Sequence, residues 1–320
     1  MIPLEWINQA AERIAPHIRH IPVTYDPANE IYIKWENRQV TGSFKIRGAL
    51  NKVLILQDWE LERGLVTASA GNHGQGLALA GKLAGAPVKI FSSEHAVPAK
   101  IEAMRAMGAE VNLVEGSYGE AEQAGLSYVQ REGGTWVSPY NDGQVIAGQG
   151  TLGLEMLEEL PNLFEASWIV PTGGGGLISG IGTALRLKQP SCKLIAVQAQ
   201  ASPFFHSLYH RGIQVGVDDL PTLADGLSGP VEHNSITIPL VRRLVDDFVL
   251  VSEEEISRAI AYAWHKHSER IEGSAAAGLA AVLYEKVSAR PAVVVVTGGN
   301  IQPQVHARIV GEDFDPHIGQ

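Results

Sequence analysis

The sequence predicts an α/β protein with mostly parallel sheets, and three observations support this. At least eight short runs are rich in β-branched residues and have apolar side chains on both faces, as in strands that are buried on both faces. Longer amphipathic segments with helical periodicity separate these runs. The length of 320 residues is sufficient for two such units with their own cores. The predicted strands are 65–69, 88–91, 110–114, 135–138, 167–170, 193–198, 247–252 and 292–297. The predicted helices are 73–84, 97–107, 117–132, 143–160, 176–189, 253–268 and 274–287.

The charge balance argues against nucleic acid as a partner. The chain has 25 Lys and Arg against 35 Asp and Glu, a net charge of −10, and no basic stripe that could follow a phosphate backbone. An anionic membrane surface is disfavoured for the same reason. The apolar stretch 166–185 contains six glycines and a proline, which argues against a membrane span. We therefore expect neither nucleic acid nor a membrane as a partner.

The cysteine count and both ends of the chain bear on its location. Cys192 is the single cysteine, so no intrachain disulfide can form, which fits a reducing compartment. The first ten residues have neither the basic segment nor the apolar core of a secretion signal. We therefore expect a cytoplasmic protein. The last ten residues, 311–320, have the composition of a solvated tail.

The segment TGSFKIRGAL at 41–50 places Lys45 at the start of an apolar helical pattern. A lysine that points inward there would be desolvated and would lie beside helix N-terminal amides, which lowers its pKa. A lysine that forms a Schiff base requires such a shift. The alternative is a surface lysine on a first helical turn, and this segment alone does not exclude it.

The segment SAGNHGQG at 69–76 follows a predicted strand and begins a predicted helix. Free amides of such a loop at a helix N-terminus can bind an anion, for example a carboxylate. The side chain of Asn72 could form a hydrogen bond to a phenolic oxygen or a carbonyl. The alternative is an ordinary strand-to-helix turn in which Ser69 or Asn72 caps the helix.

The segment PTGGGGLISG at 171–180 also lies between a predicted strand and a predicted helix. Four successive glycines can direct their N–H groups at one ligand without hindrance from a Cβ, which predicts a phosphate site. A Walker loop is excluded because no Gly-Lys-Ser/Thr follows. A dinucleotide turn is disfavoured because the next predicted strand ends in Gln198 and not in an acidic residue. A flexible linker would not be expected in this context.

The segment VVVVTGGN at 293–300 is the last candidate. Its strand ends in Thr297, and the carboxyl ends of parallel strands are where α/β folds bind ligands. The alternative is a threonine that only terminates a strand. The 11 histidines show no HExxH or similar spacing, so no metal site is predicted.

Taken in this order, the four segments resemble those of the fold type II, tryptophan synthase β-like enzymes that depend on pyridoxal 5'-phosphate. The serine/threonine dehydratase group is the most similar. The resemblance covers nearly the whole chain, including VIAGQGTLGLEML at 145–157 and EGSAAAGLAA at 272–281. It implies two open, twisted, mostly parallel sheets that are flanked by helices.

The resemblance also implies a role for each matching residue. Lys45 corresponds to the catalytic lysine that binds the cofactor covalently. The residues implied in cofactor binding are Lys45, Phe44, Asn72, Gly173, Gly174, Gly175, Gly176, Leu177, Gly226 and Thr297. Those implied in binding the substrate carboxylate are Ser69, Ala70, Gly71, Asn72 and His73.

Several positions depart from the family pattern. Ala70 stands where the serine racemases have a second serine, so proton return to the opposite face should be inefficient. Gln198 and Phe204 stand where some relatives have the two carboxylates of a cation site, so no metal is expected. Gly273 replaces a usual proline, and the segment SPYND at 138–142 could alter the substrate pocket. A C-terminal regulatory domain of the kind found in biosynthetic threonine deaminases is not expected.

The resemblance implies a carbon–nitrogen and carbon–oxygen lyase that dehydrates and deaminates a β-hydroxy L-amino acid. L-Threonine and L-serine are the expected substrates, and a 2-oxo acid and ammonia are the products. A serine racemase or β-replacement synthase of the same fold, a 3-hydroxyaspartate or other specialised dehydratase, and a non-catalytic phosphate-ligand binding protein are the alternatives.

The family arrangement also implies two domains. Residues 1–51 and 142–320 would form a large cofactor-binding domain, and residues 52–141 a small mobile domain that closes over the cleft. A homodimer is expected from the resemblance only.

Overall fold

The computed structural model describes residues 1–311, so most of the predicted tail, 312–320, lies outside the described residues. The strands are β1 (Thr24–Asp26), β2 (Ile31–Trp35), β3 (Leu65–Ala68), β4 (Val88–Ser93), β5 (Glu110–Val114), β6 (Thr135–Trp136), β7 (Ser167–Pro171), β8 (Lys193–Ala199), β9 (Asp247–Val251) and β10 (Ala292–Val296). The helices are α1 (Leu4–Ile14), α2 (Lys45–Val53), α3 (Asp58–Glu62), α4 (Asn72–Ala84), α5 (Pro98–Ala106), α6 (Tyr118–Glu132), α7 (Gly143–Glu159), α8 (Gly176–Lys188), α9 (Phe204–Arg211), α10 (Thr237–Leu244), α11 (Glu253–His267), α12 (Gly273–Leu283) and α13 (Pro303–Gly311). Short 3-10 helices are Ala15–His17, Glu36–Arg38 and Asp225–Leu227.

The larger sheet has six strands in the order β1-β2-β10-β7-β8-β9. Only β1 runs antiparallel to its neighbour, and the other pairings are parallel. All residues of the central strands β7 and β10 are buried, because helices cover both faces of the sheet. This layered arrangement confirms the predicted fold class.

The smaller sheet has four parallel strands in the order β5-β4-β3-β6. All four strands lie within 52–141, and the strands of the larger sheet lie outside this range. The two sheets therefore take their strands from separate ranges of the chain. The domain bounds and the mobility of the smaller unit stay predictions. In the described part of the chain, no helix is both long and apolar enough to span a membrane.

The differences from the predicted elements have local causes. Strands β1 and β2 were not predicted, because β1 is short and because β2 carries the polar residue Lys34 within its apolar run. The strand predicted at 135–138 ends at Trp136, shortly before Pro139, which has no N–H to donate. Helix α12 ends at Leu283 and not at residue 287, and Glu285 beyond it has a positive φ of 55°.

Helices α2, α7 and α8 approach one another closely at glycines. A Cβ added to Gly148 of α7 would lie 2.6 Å from the carbonyl oxygen of Arg47 in α2. A Cβ added to Gly180 of α8 would lie 2.5 Å from the carbonyl oxygen of Ile146. Real atoms do not come so close, so only glycine fits at these crossings. Helix α2, which begins at Lys45, therefore packs directly on α7.

A buried ion network attaches α2 to the larger sheet. The guanidinium of Arg47 donates to both carboxylate oxygens of Glu36 at 2.8 Å and to those of Glu155 at 2.6 and 3.0 Å. Lys34 of β2 also pairs with Glu155, at 3.0 Å. Burial disfavours the charge on Arg47, but Glu36 and Glu155 outweigh it and raise the pKa of the guanidinium. The network therefore anchors α2 at Arg47, two residues after Lys45 in the chain.

Replacing Arg47 with leucine should strongly destabilise the protein. The substitution leaves Glu36 without its cation and leaves Glu155 with Lys34 alone, and an unpaired buried charge costs about 3–5 kcal/mol. Urea denaturation of the purified variant measures this loss of unfolding free energy. The matched control is Arg105→Leu, because Arg105 lies on the surface in an exposed pair with Glu102 and should change stability by less than about 1 kcal/mol. A loss as small as the control's for Arg47→Leu would contradict the importance of the network.

Candidate active site

The four segments singled out in the sequence meet between the two sheets. The N–H of Phe44 donates to the carbonyl of Thr297 at 3.0 Å, and Ser43 forms an isolated β-bridge with Gly298. Helix α4 packs on the start of α2, since a Cβ added to Gly76 would lie 3.2 Å from the backbone nitrogen of Ile46. These contacts bring Lys45, the start of α4 and the end of β10 together. The glycine loop joins them through Tyr140, which packs on Gly174 and follows Pro139, the acceptor of the Lys45 amine.

Lys45 is the first residue of α2, and its amine lies inside this meeting point. Its Nζ donates to the carbonyl of Pro139 at 2.9 Å and lies 5.3 Å from the ring centre of Phe44. No carboxylate pairs with it among residues 1–311. Burial lowers the pKa of Lys45 to about 8. An appreciable fraction of this amine is therefore neutral near pH 7, which suits a nucleophile or a base.

The glycine loop connects β7 to α8 and presents a row of backbone donors. Within the described chain, the N–H groups of Gly173 to Leu177 donate to no protein acceptor. A Cβ on Gly174 would lie 2.3 Å from the ring of Tyr140, and Gly175 has a φ of +82°. Side chains are thus excluded by both space and backbone conformation. Unpaired amides at a helix N-terminus favour an anion such as a phosphate.

Gly226 and Leu177 complete the surroundings of the glycine loop. The carbonyl oxygen of Gly226 would lie 3.0 Å from a Cβ on Gly173, so the two backbones are in contact. The N–H of Gly226 donates to the hydroxyl of Ser274 at 2.9 Å. Leu177 is buried at the start of α8. Gly226 and Ser274 thus support the glycine loop without using its N–H groups.

The loop at 69–73 contains a second set of free donors. The hydroxyl of Ser69 accepts from the N–H groups of Gly71 at 3.1 Å and Gly74 at 2.9 Å, so it does serve as a local cap. In the part of the chain that the structure describes, the N–H groups of Ala70, Asn72 and His73 have no acceptor. The start of α4 can therefore cap itself and still bind a carboxylate.

The side chain of Asn72 belongs to a buried polar cluster. Its Nδ2 donates to Glu272 Oε1 at 2.6 Å, and its Oδ1 accepts from Asn300 Nδ2 at 2.7 Å. Burial raises the pKa of Glu272 to about 7, although the charge of Lys100 opposes the shift. The second carboxylate oxygen of Glu272 has no partner among the described residues. The cluster can therefore exchange a proton near neutral pH.

Sequence reasoning did not assign a role to Glu272, Asn300 or Lys100. Glu272 begins the quoted segment EGSAAAGLAA and Asn300 ends the segment VVVVTGGN. The only sequence signal for a role of Glu272 and Asn300 was therefore that they belong to two segments already noted for other residues. No local pattern pointed to Lys100, because its proximity to Gly71 and Asp225 depends on how α5 packs.

His73 has a neutral imidazole. Its Nε2 donates to the carbonyl of Val137 at 3.0 Å, and its Nδ1 has no hydrogen-bond partner within residues 1–311. Burial, followed by the charge of Lys45, lowers the pKa of His73 to about 3. The side chain can thus form hydrogen bonds in the site without adding a second positive charge beside Lys45.

Thr297 follows the last residue of β10 and is buried. Its carbonyl accepts from the N–H of Phe44. A hydroxyl is neutral and can donate or accept one hydrogen bond. It can therefore face a ring nitrogen without holding a proton on it.

Gln198 and Phe204, which stand where some relatives have the carboxylates of a cation site, have other roles in this structure. The carboxamide of Gln198 donates to the carbonyl of Leu227 and accepts from the N–H of His206, each at 3.1 Å. Phe204 is buried at the start of α9. Among the described residues, no group of three or more His, Cys, Asp or Glu side chains could hold a metal ion. The independence from metals stays a prediction.

These groups fit pyridoxal phosphate. The glycine loop offers unpaired N–H groups in a space that a Cβ would fill, which suits a phosphate. Lys45 offers an amine whose pKa is lowered, which suits a covalent bond to an aldehyde. Asn72 and Thr297 offer neutral polar side chains, and Asn72 contacts Asn300, three residues after Thr297.

Comparisons with known proteins agree with this geometry. The L-threonine ammonia-lyase of Thermotoga maritima is 40% identical over 98% of this chain and 79% of its own length. The catabolic L-threonine dehydratase of Staphylococcus aureus is 40% identical over 94% of this chain and 90% of its own. Among solved structures, maize serine racemase has a TM-score of 0.89 and 31% identity, and covers 95% of both chains.

The processed threonine deaminase isoform 2 of Solanum lycopersicum is also similar, with a TM-score of 0.87 and 30% identity over 96% of this chain and 92% of its own. Residues 11–298 match the family described as pyridoxal-phosphate dependent enzyme. That match spans the first three segments of the site and the fourth as far as Gly298. The chain therefore belongs to the family of pyridoxal-phosphate-dependent enzymes.

Proposed function

We propose that this enzyme catalyses the α,β-elimination of a β-hydroxy L-amino acid, with L-threonine or L-serine as substrate and a 2-oxo acid and ammonia as products. The observation that carries the proposal is the buried amine of Lys45, whose pKa is about 8, between two loops of free backbone donors. One loop suits the phosphate of the cofactor and the other a substrate carboxylate. The similarity to proteins named as threonine ammonia-lyases and dehydratases supports the same reaction.

The cofactor would be held by the residues that the resemblance implied. Lys45 would bind it covalently, the N–H groups of Gly173 to Leu177 would bind its phosphate, and Gly226 would support that loop. Asn72 would meet the ring hydroxyl, Thr297 the ring nitrogen, and Phe44 would lie beside the lysine. When bound, pyridoxal phosphate supplies an electron sink for the substrate Cα.

The proton chemistry would depend on Lys45. A base works best when its pKa lies near the working pH, and the pKa of about 8 meets this condition. The neutral hydroxyl of Thr297 cannot keep a ring nitrogen protonated as a carboxylate would. A weaker electron sink favours prompt loss of the β-hydroxyl over transamination. The loop of Ser69, Ala70, Gly71, Asn72 and His73 would hold the carboxylate and orient the Cα–H bond toward Lys45.

Serine racemase is the second candidate function, because the maize enzyme is similar in structure over nearly the whole chain. Racemisation requires a proton donor on the face opposite the lysine. Ala70, which stands at the position implied for that donor, has no acid or base. Elimination is therefore favoured over racemisation at this site.

We extend the proposal to the setting of the enzyme. Residues 1–51 and 142–320 would form the large domain, and 52–141 a small mobile domain whose closure excludes water. A homodimer in the cytoplasm is proposed from the resemblance and from the single cysteine.

The proposed activity is tested with the purified holoenzyme and a panel of amino acids. Incubation with L-threonine should release 2-oxobutyrate and ammonia in equal amounts, and L-serine should release pyruvate and ammonia. Formation of D-amino acids alone would establish the racemase instead. The absence of any product from either substrate would overturn the assignment.

Replacing Lys45 with alanine should remove the covalent attachment and the base together. Ammonia release should fall by at least about 10²–10⁴-fold, and reduction with borohydride should no longer fix the cofactor to the protein. The control is Lys188→Ala, an exposed lysine near the end of α8, which should leave both measurements unchanged. A cofactor label on a different lysine in the parent protein, found by peptide mapping, would refute the role of Lys45.

The reactivity of Lys45 should depend on pH with a midpoint near its lowered pKa. Only the free amine reacts with acylating reagents, so labelling of the cofactor-free protein should rise through a pH of about 8 and not through the ordinary value of about 10.4. Mass spectrometry of the labelled peptide measures the midpoint. A midpoint at the ordinary value would show that burial does not shift this amine.

The Ala70→Ser variant should gain racemase activity. A hydroxyl at this position could return a proton to the opposite face, and a positioned acid or base contributes about 10²-fold or more. Chiral chromatography of the products from L-serine measures D-serine directly. Ala70→Gly, which adds no acid or base, should form no more D-serine than the parent. Equal D-serine formation by both variants would contradict the argument for elimination.

A further inference from the structure

Lys100 connects the two halves of the molecule across the cleft. It lies on α5, beside the smaller sheet, and its Nζ is 2.8 Å from Oδ2 of Asp225 in the 3-10 helix Asp225–Leu227. The side chain of Lys100 is only 13% exposed, whereas that of Asp225 is 54% exposed. The ammonium of Lys100 is thus largely buried, whereas the carboxylate of Asp225 lies partly at the surface.

The ammonium of Lys100 lies over the loop at 69–73. A Cβ added to Gly71 would lie 3.2 Å from Cδ and 3.6 Å from Nζ of Lys100. This is the loop whose N–H groups at Ala70, Asn72 and His73 have no acceptor in the described chain. A positive charge and free backbone donors therefore face the same small volume, which is a favourable arrangement for a carboxylate.

The pair with Asp225 is easy to exchange. Burial disfavours the charge on Lys100, but Asp225 and Glu272 outweigh it and raise the pKa of the amine, so it stays protonated. Asp225 is half-exposed, and solvent screens the attraction that such a carboxylate exerts on its partner. A carboxylate that is also bound by the amides of the loop can therefore compete with Asp225 for the ammonium.

We propose that Lys100 binds the substrate carboxylate, and that Asp225 holds its ammonium group over the loop until the substrate arrives. This inference rests on the proposed function, because it assigns the recognition of an amino-acid carboxylate at the same site. It adds a charged side chain to a subsite that otherwise consists of backbone amides. Substrate binding would then replace the contact between Lys100 and Asp225 with a contact between Lys100 and the substrate carboxylate.

The test compares L-threonine with L-threonine amide, which lacks the negative charge. Dissociation constants are measured on the holoenzyme by the change in cofactor absorbance. In Lys100→Met, the dissociation constant for L-threonine should rise by about 10- to 100-fold, as expected for a hydrogen bond between charged groups. The constant for the amide should stay unchanged. Lys188→Met is the control and should change neither constant.

The Asp225→Asn variant separates recognition from a merely structural pair. It frees the ammonium of Lys100, so L-threonine should bind more tightly than to the parent and the amide equally well. If the pair only holds the halves together, both substitutions should weaken binding of both ligands. That result would overturn the proposal. The result for Asp225→Asn stands even if Lys100→Met does not fold.

The parent enzyme keeps this test separate from that of the proposed function. If the parent releases no 2-oxo acid from L-threonine or L-serine, the proposed function fails. If the parent is active but Lys100→Met binds L-threonine as tightly as the parent does, only the role of Lys100 is refuted.

Discussion

The buried guanidinium of Arg47 is the constraint on which the site depends. It holds two carboxylates from different parts of the chain, Glu36 and Glu155, and Lys34, two residues before Glu36, also pairs with Glu155. Buried charges are tolerated only when they are paired with good geometry, so these elements have one mutual arrangement. Helix α2 is fixed by this network, and Lys45 at its first residue is thereby directed into the cleft.

The site itself is built largely from backbone. Two helices, α4 and α8, begin with N–H groups that have no acceptor in the described chain, and both starts face the cleft. Each can stabilise an anion through the partial charge of the helix end. Lys45 lies close to both, since its Nζ donates to Pro139, whose neighbour Tyr140 packs on Gly174, and its helix packs on α4 at Gly76. The geometry suits a substrate and a cofactor that each carry a negative group.

The polar contacts across the cleft join the halves without filling the site. Asn72 of the smaller half contacts Glu272 and Asn300 of the larger half, and Lys100 contacts Asp225. These contacts are hydrogen bonds and an ion pair, so each polar group can exchange its present partner for a ligand. If Lys100 binds the substrate carboxylate as proposed, substrate binding replaces one of these contacts.

The fold class, most of the central strands and the candidate segments of the site could be predicted from the amino-acid sequence. Apolar runs and glycine clusters are local signals, so no knowledge of the packing was needed for these features. The burial of Lys45 could not be predicted, because the same helical pattern fits a surface lysine and the packing of α2 makes the difference. The tertiary structure also decided the partners of Arg47, Glu272 and Lys100, because each contact joins residues far apart in the chain and depends on packing that no local pattern encodes.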